Sequence, residues 1–419
     1  MGSRPERPFP RLDGILPPPD EHPAQETSAG DGRRLGRRGA LFLLGLSLCA
    51  LLFVSHLLNI LSGSSRAAAS GGPAMRILLA SSLESLEIRG AELHLAADGT
   101  RLGSAVEIRG QSRGLLLLGA SAPRVLDRDD CRLSWEGSAR IHYRGAGGKR
   151  VEREELGSLR VLRRAAGLRA ILHTELETYL GGVLEAEMGA RFDAEALRAQ
   201  VVAARSYALS SRARSEKRDF DVFDDERSQV YRGAGASPPV LRAVRATAGE
   251  VLLFKGKVLR AYYASTCGGR TRDGRERFRD VPAGPLRSVS CEGCTQSPLY
   301  RWKRRLNARL LGLGDRGRPE LRVLERSARG DWKRVFLRFG KGKWRSPGIS
   351  ELARKLSLPS VWITDATPDG ASGLLLHGRG FGHGVGLCQY GADGYAKRGW
   401  DYRRILAAYY PGTRVEAGP

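Results

Sequence analysis

The chain has 419 residues, 69 Lys and Arg against 45 Asp and Glu, a formal charge of +24 and a pI near 10.4. Its 41% hydrophobic and 27% charged content is that of a globular protein long enough for two or three domains, which excludes a chain without a core. The charge asks for an anionic partner: nucleic acid, an anionic membrane surface or an acidic polymer such as a bacterial wall. Basic residues occur in every segment and are mostly arginine, and no RNP, zinc-finger or helix-turn-helix signature accompanies them, so no nucleic-acid partner is expected.

Residues 1–38 read as a Pro-rich, basic, disordered cytoplasmic tail. Ala40 to Leu61 then runs for 22 residues without Asp, Glu, Lys or Arg, long enough to cross a bilayer, which predicts a transmembrane signal anchor over 39–62. Arg33, Arg34, Arg37 and Arg38 lie just upstream, so the positive-inside rule keeps the tail in the cytoplasm. The remainder is expected outside the cytoplasm, periplasmic or extracellular, with a single pass through the inner or cytoplasmic membrane. A twin-arginine-like signal at Arg37 and Arg38, or cleavage near "SRAAAS", stays open. Residues 63–75 form a flexible linker.

From 76 to 165, short alternating runs bounded by Gly, Ser and Asp-Gly predict a β-rich module. His94, His142 and Cys131 stand alone there and are expected to be structural. Residues 166–419 read as a mixed α/β domain, making the whole an α+β protein.

Asp193 is a good N-cap for a helix from Ala194 to Leu209, whose Ala, Leu and Val occupy nearly every face, so it should be buried all round. Arg205 within it needs a buried partner, with Glu187 a nearby choice. "GGVLEAEMGA" sets Glu185 and Glu187 in otherwise uncharged surroundings, where a carboxyl takes a raised pKa and can donate a proton near neutrality. An ordinary exposed pair is the alternative.

"GRGFGHGVGLCQYGA", Gly378 to Ala392, surrounds His383 with glycine. Neither GxGxxG nor GxxxxGK[ST] fits, which disfavours nucleotide binding. A tight turn with an incidental histidine remains open.

"LETYLGGVLEAEM", "EALRAQVVAARSYAL", "QVYRG", "YYASTCGGRT" and "GRGFGHGVGLCQYGA…YPGT", in this order, resemble the family of sporulation stage II protein D (SpoIID) and the amidase enhancer LytB. The resemblance spans about 172–413. It implies a lytic transglycosylase of peptidoglycan that leaves a 1,6-anhydro sugar, with Glu187, before Met188, as the single catalytic acid and base. Glu185 falls on a variable position. The resemblance also brings Arg205, Tyr207, Gln229, Tyr231, Ser265 and Thr266 to the cleft as candidate glycan contacts. His383 and Gln389 would hydrogen-bond the sugar, though a structural His383 stays open. Gly189, where the family often has Pro, and Ser206, where it often has Thr, are mild departures. The amidase enhancer supplies a second reading: a non-enzymatic glycan binder that recruits a wall amidase.

Cys267 in "STCGGRT" and Cys291 with Cys294 in "SVSCEGCTQSP" form a CxxC plus a third sulfur, the pattern of a structural zinc site. Some members of the family bind zinc here. Cys388, His383, a carboxylate or water is the open choice of fourth donor, and a disulfide from Cys267 to Cys291 or Cys294 competes.

Overall fold

Alternating apolar residues that need one covered face produce the large sheet. The computed structural model describes residues 72–119, 122–278, 281–306, 319–369 and 373–418. Strands β1 (Ala74–Leu83), β2 (Ser85–Leu95), β3 (Thr100–Gly110), β4 (Leu115–Gly119), β5 (Arg124–Leu126), β6 (Asp130–Arg144), β7 (Arg150–Arg164), β8 (Gly167–Glu175) and β9 (Val222–Phe223) lie in the order β5-β4-β3-β2-β6-β7-β8-β1-β9. Every pairing is antiparallel except β1 with β9. Leu86, Ile88, Val106, Ile108, Leu159 and Val161 fill the inner face, while Glu87, Arg89, Glu107 and Arg109 alternate outward, as the two-residue strand period requires.

The sheet does not stop at the boundary expected near residue 165. β8 pairs with both β7 and β1, and β9 comes from beyond the long helix. The β-rich module and the following segment therefore share one core, and the chain from Pro73 onward is one compact unit. The expected anchor, tail and most of the linker lie outside the described residues. Among the described residues no helix is long and apolar enough to cross a membrane.

Helix α1 (Leu176–Glu187) follows β8 directly and buries Leu176, Tyr179, Leu180, Val183 and Leu184. Helix α2 (Ala194–Ala213) has the expected cap, Asp193 accepting from the Glu195 N–H at 2.9 Å, and is buried on nearly every face. Arg205 on α2 is fully buried, but its partner is Glu177 rather than Glu187. Nε and Nη2 donate to the two Glu177 oxygens at 2.8 and 2.7 Å, and Nη1 donates to the Glu250 carbonyl at 3.0 Å. The fork of the guanidinium meets both carboxylate oxygens because α1 and α2 pack side by side, bringing residues 28 apart in sequence together. Arg205→Ala strands Glu177 and leaves a cavity, so chemical unfolding should show a loss of about 3 kcal/mol.

A loop from 224 to 236 is clamped to the sheet. Arg153 on β7 pairs with Asp224 and donates to the Tyr231 carbonyl at 3.2 Å. The buried Tyr231 hydroxyl donates to Glu155 at 2.5 Å, while the other Glu155 oxygen has no hydrogen-bond partner among the described residues. Burial pushes the Glu155 carboxyl up to about 7, with the Tyr231 hydrogen bond and Arg153 opposing it. A carboxyl raised on folding binds more protons native than unfolded, so it costs stability as pH rises from about 4.5 to about 7. Glu155→Gln should flatten that decline, read as melting temperature against pH.

The rest of the described chain adds α3 (Pro238–Ala246), the strands β10 (Glu250–Phe254), β11 (Lys257–Val258) and β12 (Tyr263–Ala264), then an insertion with a core of its own. The insertion comprises β13 (Arg301–Leu306), β14 (Pro319–Arg326), β15 (Trp332–Phe339), α4 (Ile349–Lys355), β16 (Ile363–Asp369) and β17 (Gly373–Arg379) around Trp302, Trp332, Leu337, Leu352, Ile363 and Leu376. β18 (Leu387–Cys388), α5 (Gln389–Ala396), α6 (Tyr402–Tyr409) and β19 (Arg414–Ala417) return to the main core.

Candidate active site and thiol cluster

Glu187 is the last residue of α1, and Gly189, with φ +68°, turns the chain away behind it. Its half-buried carboxyl accepts from the Val230 N–H at 3.0 Å through Oε1 and from Gln389 Nε2 at 3.2 Å through Oε2. Burial raises its pKa; the two hydrogen bonds and Arg232 pull against that rise, and Glu226 adds to it. The carboxyl is therefore a proton donor above the ordinary carboxylate range, held at both oxygens. Glu185 is occupied elsewhere, accepting from the Ser237 N–H at 2.8 Å and hydroxyl at 2.6 Å ahead of α3. Two residues along a helix are about 200° apart, so only one of the pair faces the site.

Gln229 lies beneath this carboxyl. It accepts from the Tyr179 hydroxyl at 3.2 Å and donates to the Tyr263 hydroxyl at 2.9 Å and the Ala204 carbonyl at 3.2 Å. A buried amide satisfied on both ends fixes its own backbone, and with it the neighbouring Val230 N–H aimed at Glu187. Gln229, Tyr231 and Thr266 are thus scaffold in this conformation. Each is buried and bonded to protein, Thr266 to the Ser297 hydroxyl at 2.7 Å. Arg205 is likewise buried and satisfied, which takes it out of the expected set of glycan contacts. Tyr207 is buried too and accepts from Arg260 at 3.2 Å. Ser265 stays half-buried, its carbonyl taking the Tyr390 N–H at 3.1 Å. Tyr179, Val230 and Tyr263 were not singled out from sequence: a main-chain donor carries no side-chain signal, and the two tyrosines read as core.

The glycine run is explained mostly by close packing. A Cβ on Gly384 would sit 1.9 Å from Trp362, and one on Gly386 would sit 1.8 Å from the Tyr262 carbonyl oxygen; both have positive φ. His383 Nδ1 accepts from the Val385 N–H at 3.1 Å, the Tyr263 backbone engages the ring, and Phe278 and Tyr262 pack edge-on at 5.3 and 6.0 Å. Burial, with Arg277 and Arg272, lowers its pKa to about 4, so the ring is neutral. Its observed bonds staple the loop to β12, and Gln389 is the residue of this run that reaches Glu187.

Cys267, Cys291, Cys294 and Cys388 are all buried free thiols whose sulfurs lie within 4.8 Å of one another. The Cys267 and Cys294 sulfurs are 3.7 Å apart, close to the edge of a tetrahedron with Zn–S bonds of about 2.3 Å. The Cys267 N–H donates to Cys388 Sγ at 3.3 Å, so the backbone already turns a donor toward one of the four sulfurs, as the surroundings of a metal ligand do. Four thiols without a histidine fit zinc. Cys388 completes the set because β18 lies parallel to β12, and this settles which of the open fourth donors is in reach. Gly394 on α5 packs against the CxxC turn, where an added Cβ would meet the Gly293 carbonyl at 1.9 Å.

Residues 164–254, which contain α1, α2 and Gln229, match the family model described as Stage II sporulation protein. Stage II sporulation protein D of Bacillus subtilis is 29% identical over 264 residues, covering 57% of this chain and 74% of that protein. The chain belongs to the SpoIID/LytB family. An uncharacterized protein of Brachyspira hyodysenteriae is 32% identical over 248 residues, covering 57% of this chain and 66% of its own length. The amidase enhancer of Bacillus subtilis is 26% identical over 293 residues, covering 56% of this chain and 40% of that protein.

Proposed function

We propose that this SpoIID/LytB-family chain is a peptidoglycan lytic transglycosylase. The observation that carries the reading is the single clamped, pKa-raised carboxyl of Glu187, with Glu185 turned away to Ser237. Protonated Glu187 gives its proton to the glycosidic oxygen as the C1–O bond breaks. The sugar's own C6 hydroxyl then closes onto C1 while the Glu187 carboxylate takes the hydroxyl proton. The C1–O6 bond replaces the bond lost, no water is consumed, and one carboxyl serves twice. Hydrolysis would instead need a water and a base to activate it.

Zinc held by Cys267, Cys291, Cys294 and Cys388 would be structural, fixing Gln389, the residue after Cys388, against Glu187. Residues 39–62 would anchor the protein in the inner or cytoplasmic membrane with the described domain outside the cytoplasm. A non-catalytic reading, glycan binding that activates a wall amidase, is favoured by the similarity to the amidase enhancer. Incubation with whole sacculi and with peptide-free glycan separates the two. Release of 1,6-anhydro products by mass supports the enzyme, reducing-end MurNAc alone means hydrolysis, and binding without release means the enhancer.

A further inference from the structure

Residues 301–379 carry 19 Lys and Arg against 7 Asp and Glu, a net +12, half of the chain's +24 in under a fifth of its length. The insertion has an apolar core of its own, and only some of these cations, such as Arg379 on Asp331 and Arg326 on the Thr364 carbonyl, are used to hold it together. Glu320, Glu325, Asp331, Glu351 and Asp369 are each already ion-paired. Arg322, Arg334, Lys341, Lys343, Arg345 and Arg354 are left exposed, with no carboxylate partner among the described residues. The excess is therefore an uncompensated surface.

Its geometry is ordered. Arg322 on β14 and Arg338 on β15 each place a guanidinium 4.7 Å from the Trp344 ring centroid, and Phe336 meets that ring edge-on. The turn bearing Lys341, Lys343 and Arg345 folds back on β15 through paired Leu337 and Arg345 backbone bonds of 2.8 and 2.9 Å. Between this turn and α4 runs a groove of about 230 Å³ whose walls include Lys343, Arg345, Pro347 and Lys355.

We propose that this insertion docks a linear, base-free phosphodiester polymer of the cell wall through Arg322, Arg334, Lys341, Lys343, Arg345 and Arg354. The proposal rests on the wall reading above and adds the partner's chemistry. Six separate cations suit a repeating anion rather than a single phosphate. Among the described residues of this segment Leu324 is the one exposed large apolar side chain, too little for a bilayer to take up. Guanidinium groups already occupy Trp344, whereas single-stranded nucleic acid needs open ring faces for its bases.

The test uses the full chain in neutral detergent and fluorescent poly(glycerol phosphate), with affinity read by anisotropy across a salt series. A variant carrying Lys341→Gln, Lys343→Gln, Arg345→Gln and Arg354→Gln should bind at least tenfold more weakly, and its log–log salt slope should shrink by about 3. Its melting temperature and its turnover on short polymer-free glycan should match the parent's. Removing four cations of the large sheet instead, Arg128, Arg132, Arg144 and Arg150 to Gln, should change affinity less than about twofold. Glu187→Gln should bind the polymer normally, so failure of the lytic reading leaves this result intact. Equal loss in the two quadruple variants, unchanged binding by the first, or tighter binding to duplex DNA or to phosphatidylglycerol vesicles at the same salt would overturn the proposal.

Discussion

Glu187→Gln should lower turnover on peptide-free glycan by about 10²- to 10⁴-fold while leaving glycan affinity near the parent value, because the amide keeps the shape and loses the titrating proton. One of the two donors, Val230 N–H or Gln389, keeps the amide oxygen as its acceptor, while the other meets an NH₂ in place of an oxygen. Glu185→Gln should cost far less, since that side chain serves the start of α3. The pH profile adds a second check. The reactive form is protonated, and burial holds the Glu187 pKa above the ordinary carboxylate range, so the rate should fall as pH rises through that raised value. His383 should contribute no step between pH 5 and 8, since its pKa is already down near 4. Full cutting by Glu187→Gln with loss in Glu185→Gln would reverse the assignment.

The second large effect is expected at the thiol cluster. Purified under reducing conditions, the protein should carry about one zinc per chain, and Cys388→Ser should lose it and melt at least about 5 °C lower. Turnover should fall as well, because Cys388 precedes Gln389, and the Tyr390 N–H is held by the Ser265 carbonyl beside the same thiol. Metal-free protein with a reducible bond between Cys267 and Cys291 or Cys294 would support a disulfide instead. Gly394→Ala should imitate the cysteine variant in stability, because its Cβ meets rigid backbone at Gly293 rather than a side chain that can move.

What could be read before folding was whatever a short stretch of chain decides by itself. The Asp193 cap and the all-round apolar α2 depend on neighbours within a few residues, and both are present as expected. The alternation of the strands and the CxxC pair are equally local. Glu187 was legible as well, from two acids in an uncharged stretch together with the order of five motifs. Pairings between distant segments were not. Arg205 required a carboxylate, and Glu187 was a nearby candidate, but side-by-side packing of α1 and α2 delivered Glu177. The break expected near residue 165 disappears because β8 hydrogen-bonds to β1, nearly a hundred residues earlier. Likewise the fourth thiol, the Val230 amide on Glu187 and the backbone role of His383 all depend on β12 and the 224–236 loop meeting segments far along the chain. The charge shows the same division: its total and its concentration on 301–379 are properties of composition, whereas which cations stay without a carboxylate is decided by the ion pairs that form. Periodicity, capping and composition act over one or two turns of chain, so the sequence by itself determined the elements and singled out the Glu187 carboxyl as a candidate. Burial and hydrogen bonding depend on which surfaces finally touch, so only the tertiary structure decided what holds that carboxyl in place.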